Sequence, residues 1–142
     1  MSIVPVKIMQ WTPEYSLHDA VIDREHQALF DAINRLHEAM LAGQGRYALR
    51  PLLAGVMQYT DYHFTHEEKL MAEARYPQLP AHIHLHKELQ RQVCAIAERF
   101  ERGEITISIE FVIFLSNWII NHELVEDRRF EEYMQAKQDF KA

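Results

Sequence analysis

Apolar positions recur along this chain at alternating steps of three and four residues. The first run is Ile22, His26, Leu29, Ile33, Leu36 and Met40, and the second is Leu52, Val56, Tyr59, His63, Glu67 and Leu70. The third is His82, His86, Leu89, Val93, Ile96 and Phe100, and the fourth Phe111, Leu115, Trp118, His122 and Val125. Steps of three and four place each run on one face of a helix, and no strand-like alternation of any length appears. Gly43 with Gly45, Pro77 with Pro80, and Gly103 interrupt the pattern, and Pro51 falls near a helix start. The predicted helices therefore cover about 19–41, 49–75, 81–101 and 106–127. Short connections make successive helices antiparallel, so the expected fold is all-α, an up-down-up-down four-helix bundle. One domain is expected, with an N-terminal arm at 1–18, the bundle at 19–127 and a tail at 128–142. Phe130, Tyr133, Met134 and Phe140 in that tail predict a short helix packing back on the bundle.

The same stripes carry groups that do not belong in a hydrocarbon core. His26, His63, Glu67, His82, His86 and His122 each interrupt a stripe, and Asp127 follows at the end of the fourth. Residues four apart share a helix face, so His63 with Glu67 and His82 with His86 can each chelate one centre. Taken alone, either pair reads as a solvated couple. Taken together, five imidazoles and two carboxylates from four helices converge on one core, where bare polar groups cost several kcal/mol. The pattern asks for a metal.

Composition narrows the choice. The single cysteine, Cys94, excludes an internal disulfide and any thiolate-held zinc or iron–sulfur site. Seven ligands exceed what one tetrahedral ion uses, and mixed imidazole and carboxylate ligation of two ions suits iron. If Glu67 and Asp127 each bridge both ions along with one oxo or hydroxo group, five histidines divide unevenly. One iron reaches six-coordination; the other stops at five and keeps a position open. A net charge of −6 argues against nucleic acid as a partner. No apolar run approaches the length of a membrane span, and the start shows no signal peptide, so a soluble cytoplasmic protein is expected.

The stretches IDREHQALF around His26, YHFTHEEKLM around His63 and Glu67, HIHLH holding His82 and His86, and NWIINHELVED holding His122 and Asp127 resemble the hemerythrin family. Trp11 stands where that family's arm carries a tryptophan, and the resemblance runs from about 11 to 133. It implies that His82, His86 and His122 hold the six-coordinate iron and His26 and His63 the five-coordinate one, with Glu67 and Asp127 bridging. α-Helix geometry from His122 favours Glu126, four residues on; the family pattern instead places the bridging carboxylate at Asp127. Two positions depart from the pattern. Glu123 stands where relatives carry an apolar residue and His18 where glycine is common, which bears on surface charge and arm geometry.

A centre rich in neutral imidazoles favours ferrous iron and the return of oxygen intact, unlike the carboxylate-rich diiron bundles that activate it. Reversible dioxygen binding for transport, storage or delivery is therefore expected, with an oxygen-consuming enzyme as client and the chain a monomer or small homo-oligomer. The alternatives are a diiron oxidase or reductase of peroxide or nitric oxide, and a stand-alone oxygen or redox sensor. Leu29, Phe64, Trp118 and Ile119 are candidates for a dry oxygen pocket, and each reads equally as core packing. His84, His66, His37 and His18 are expected on the solvent side, Asp23 in a hydrogen bond near the helix start, and Glu68, Lys69 and Glu73 on a solvated face.

Overall fold

The computed structural model describes residues 7–141, with side chains through 138. Residues 1–6 and the Phe140 side chain named above lie outside that range. Helices α1 (Ala20–Leu41), α2 (Arg46–Glu73), α3 (Leu79–Glu101) and α4 (Ile109–Asn121) form the four-helix bundle, an all-α architecture. Helix α1 packs on α2 and α4, and α2 packs on α3. The fourth helix does not run on regularly. A π-helical turn occupies His122–Asp127, and α5 (Arg128–Lys141) follows without a break.

Each helix starts and stops for local reasons. The Asp19 carboxylate caps α1 by accepting from the backbone N–H groups of Val21 and Ile22, and Ser108 caps α4 by accepting from Phe111. Asp23 accepts from the Ser16 hydroxyl at 2.7 Å and the Leu17 backbone N–H at 2.9 Å, the hydrogen bond expected of it. It ties the arm to α1, and the Asn34 side chain ties it again by pairing with both backbone groups of Met9. Gly43 and Gly103 stop α1 and α3 in the left-handed conformation. Arg75 does the same after α2, and His18, at φ 58°, takes it between arm and bundle. That backbone accounts for the resemblance's glycine at this position.

The buried faces follow the predicted stripes with shifts. In α1, Ile22, His26, Leu29, Ile33 and Leu36 are buried, but so are Asn34 and His37, because α1 packs on two helices and on the arm. His37 is thus a core residue and not the solvent-side one expected. In α2, Tyr59 is 43% exposed and Thr60 takes the core position, its hydroxyl donating to the Val56 carbonyl. Helix α2 begins at Arg46, which leaves Pro51 inside it, beyond the start the sequence suggested. The tail helix packs on the end of α2 as expected. Tyr76 meets the rings of Phe130 and Tyr133, and the Tyr133 hydroxyl and the Lys137 ammonium donate to the Ala74 carbonyl.

Candidate metal centre

Six of the seven predicted ligands stand on the inner faces of α1, α2 and α3 and at the head of the π turn; the seventh ends that turn. His26 comes from α1, His63 and Glu67 from α2, His82 and His86 from α3, and His122 and Asp127 bound the π turn. All seven are buried, none more than 5% exposed. Their donor atoms fall into two sets that could each hold an ion: His82, His86 and His122 with Glu67 and Asp127, and His26 and His63 with the same two carboxylates.

The carboxylates join the sets. Glu67 Oε1 lies 2.6 Å from His82 Nε2 and 3.3 Å from His86 Nε2, while its Oε2 lies 3.2 Å from His63 Nε2. Asp127 repeats the division. Its Oδ1 lies 3.1 Å from His122 Nε2 and 3.2 Å from His82 Nε2, and its Oδ2 lies 3.3 Å from His26 Nε2. One oxygen of each carboxylate thus lies toward the three-histidine set and the other toward the two-histidine set.

The π turn is what brings Asp127 in. In an α-helix five residues rotate about 140° past the starting face, and four residues only about 40°. A turn closed by i→i+5 hydrogen bonds instead returns the fifth residue to that face. Asp127 is 1% exposed, whereas Glu126 is half-buried beside Arg129, outside the cluster. Regular helix geometry was the wrong ruler here, and the irregularity also turns Val125 out to 44% exposure at the end of its predicted stripe.

The cluster fits metal ions on two counts. His26 and His63 face each other Nε2 to Nε2 at 2.9 Å, His86 and His122 at 2.9 Å, and His122 and His82 at 3.0 Å. The Nδ1 atoms of His63 and His86 donate to Glu25 (2.8 Å) and Glu68 (2.8 Å), which in the neutral ring leaves each Nε2 a lone pair pointed inward. Converging lone pairs repel unless a cation lies among them, and donors at right angles about 2.1 Å from one ion stand about 3.0 Å apart. Second, both Asp127 oxygens are buried without a hydrogen-bond donor, a costly arrangement for an anion.

Without a cation the groups neutralise one another. Burial would lower His63, but the charge of Glu67 and the hydrogen bonds of Glu25 and Glu67 lift it to about 10. Burial is likewise overcome at His122, which Asp127 and Glu67 raise to about 10, and His82 also rises. Burial would raise Glu67, yet the surrounding histidines, His63 foremost, hold it well below the usual carboxylate range. Asp127 is held down as well: His122 and His26 outweigh its burial and the nearby charge of Glu67.

Three carboxylates outside the predicted ligand set stand behind or beside the imidazoles, and where such a group accepts from a ring N–H it fixes orientation and tautomer. Glu25 bridges His63 Nδ1 and His66 Nδ1, the latter at 2.6 Å, so His66 is half-buried and paired, not turned to solvent. The spacing of His63 and His66, three apart on one face of α2, was the available signal. Glu68, expected on a solvated face, accepts from His86. Glu123, which the sequence suggests is a matter of surface charge, is 2% exposed, because the π turn rolls it inward. Its Oε2 lies 3.6 Å from His26 Nδ1, beyond hydrogen-bond reach, and neither of its oxygens has a partner. Burial, reinforced by Asp127, pushes its pKa well above the ordinary value.

The remaining placements are simple. His84 and His18 are exposed, as expected, and Lys69 pairs with Glu73 at the surface. Leu29 and Ile119 are core residues. Phe64 stacks on His86 at 3.7 Å between centroids and Trp118 on His122 at 4.5 Å, so both lie against the three-histidine set.

Residues 18–133 match the family model described as the hemerythrin HHE cation binding domain. The chain is 33% identical over 129 residues to the bacteriohemerythrin of Stenotrophomonas maltophilia, covering 91% of this chain and 83% of that one. It is 33% identical over 112 residues to the bacteriohemerythrin of Pseudomonas aeruginosa, covering 79% and 72%. Among solved structures, wild-type hemerythrin superposes with a TM-score of 0.82 at 27% identity, over 88% of this chain and 96% of that one.

Proposed function

The chain belongs to the hemerythrin family, and from that premise we propose that it binds dioxygen reversibly at a carboxylate-bridged pair of iron ions, as a carrier, store or delivery protein and not as an enzyme. The observation that carries this reading is the division of Glu67 and Asp127, each with one oxygen toward the three-histidine set and the other toward the two-histidine set. His82, His86 and His122 would hold one iron, His26 and His63 the other, and the two carboxylates would bridge them. A ferrous pair held there supplies the two electrons that reversible dioxygen binding draws on and recovers.

The protein's part is to set charge, orientation and dryness. Five neutral imidazoles and only two carboxylates offset little positive charge, which favours the ferrous state. Glu25 and Glu68 keep the His63 and His86 protons on Nδ1 and their Nε2 lone pairs turned inward. Leu29 sits one turn past His26 on the two-histidine side; with Ile119, Phe64 and Trp118 it excludes water and slows oxidation of the centre.

The test is metal analysis followed by an optical spectrum. Two irons per chain are expected. The anaerobically reduced protein should be nearly colourless, and air should produce a visible charge-transfer band that oxygen removal reverses. A single ion per chain, or irreversible oxidation with no oxygenated form, would overturn the reading.

A further inference from the structure

A cavity of about 520 Å³ opens between the start of α1, the last turns of α2, and α5. Leu17, Ile22, Leu70, Phe130 and Met134 wall it, and Glu67 and Asp127, the carboxylates shared by the two donor sets, lie at its floor. None of Leu29, Phe64, Trp118 and Ile119 lines it. A diatomic gas needs only a small part of this space. Sites for small organic molecules measure about 300–1,000 Å³, with mostly apolar walls and a few placed polar groups.

The polar groups restrict what fits. Asp19, Glu73 and Glu131 stand at the mouth against His18 and Lys137, and the Lys137 ammonium already donates to the Ala74 carbonyl at 2.7 Å. Such a mouth disfavours an anion, and apolar walls penalise any charge stripped of water. At the floor, a carboxylate offers about four lone-pair sites, so an oxygen engaged toward a metal keeps acceptor capacity toward the cavity. The complementary molecule is uncharged and ring-sized, with a hydroxyl at its buried end.

We propose that this cavity binds a molecule of the phenol class, its ring between Leu70, Phe130 and Met134 and its hydroxyl donating to Glu67. Placing that hydroxyl beside a metal-bound carboxylate rests on the diiron reading; the cavity itself does not. The probe is 4-ethylphenol, titrated into the iron-loaded, anaerobically reduced full chain and followed by calorimetry and ligand-observed NMR, with 4-ethylbenzoate alongside. The expected result is saturable binding of the phenol, with the benzoate weaker by about tenfold or more. Met134→Trp fills the cavity from α5 and should weaken phenol binding by about tenfold while iron content and the dioxygen band stay unchanged. Leu70→Phe fills it from α2, should Met134→Trp displace α5.

No saturable binding to protein that holds two irons and shows a normal band would overturn this proposal and leave the oxygen reading standing. Equal affinity for the benzoate, or indifference to both variants, would also overturn it, as would a new iron–phenolate band, which marks direct ligation. Phenol binding that both variants abolish, in protein without a reversible dioxygen band, would sustain the cavity and sink the oxygen reading alone.

Discussion

The two halves of the candidate metal centre are built in different ways. The three-histidine half draws His82 and His86 from adjacent turns of α3 and His122 from the head of the π turn, and aromatic rings cover two of these imidazoles. Only His86 among them has a carboxylate behind it, the half-exposed Glu68. The two-histidine half draws one imidazole each from α1 and α2, and both have a carboxyl nearby, the half-buried Glu25 for His63 and the buried Glu123 for His26. One half relies on ligand number and stacking; the other has fewer ligands, with His63 oriented by Glu25 and His26 left beside an unpaired Glu123. That division suits a centre in which one ion is saturated and its partner must stay reactive.

Removing what the halves share should have the largest effect. Glu67→Ala takes an oxygen from each donor set, and metal analysis should find the content falling from two ions per chain to below about one. Retention of both would show that Glu67 does not join the halves. Separating them comes next. His63→Ala leaves the five donors of the other set intact, so one iron should remain while the dioxygen band disappears. His122→Ala should lower iron content and also destabilise the bundle, because Trp118 loses its stacking partner and Asp127 a neighbour at 3.1 Å. Equal metal loss from the two variants would mean the sites do not load separately.

Much of this was legible in the sequence, because a helix stripe is a spatial statement. Steps of three and four place His26, His63, Glu67, His82, His86 and His122 in one core. Choosing Asp127 over Glu126 took the family resemblance, since the π turn that delivers it leaves no mark in hydrophobic spacing. The same turn hid Glu123, which reads as solvent-facing on a regular helix and is buried. Glu25 and Glu68 were missed for another reason. They lie beside ligands in sequence but serve histidines on neighbouring helices, His63 and His86, and such pairing depends on how helices rotate against each other. His37 follows the same logic: a helix packed on two sides buries a wider arc than a single seam predicts.

Acidity sharpens the comparison less drastically. In metal-free protein His63 and His122 titrate at about 10, above their ordinary 6.5, so both are protonated at neutral pH. Their contribution to stability is complete below about 6.5 and is lost as pH rises through 10. Glu67 and Asp127 are shifted below their ordinary 4.5 and 3.8, so their contribution is present above those values and is lost on acidification. Thermal unfolding of metal-free protein should therefore peak between about pH 4.5 and 6.5. Loading with ferrous iron at pH 7 should release at least two protons, one from each half, measurable by calorimetry in buffers of different ionisation enthalpy. Release of none would mean the imidazoles are already neutral.

The smallest expected effect isolates the feature that sets the two-histidine half apart. Glu123 is buried beside His26 without a hydrogen bond, and its folded-state pKa stands well above 4.5. Its protonated form is the one the fold tolerates, so its contribution is intact below about pH 4.5 and declines as pH rises through the folded value. Glu123→Leu removes that burden. Urea melts of the metal-free variant should show a gain of about 1–3 kcal/mol at pH 8, the usual penalty of an unsatisfied buried polar group. The gain should be smaller at pH 4.5, where the wild-type carboxyl is neutral and only its unpaired polar atoms remain a cost. A gain that is the same at both pH values would trace to packing, and the carboxyl would then play no electrostatic part in how His26 is held.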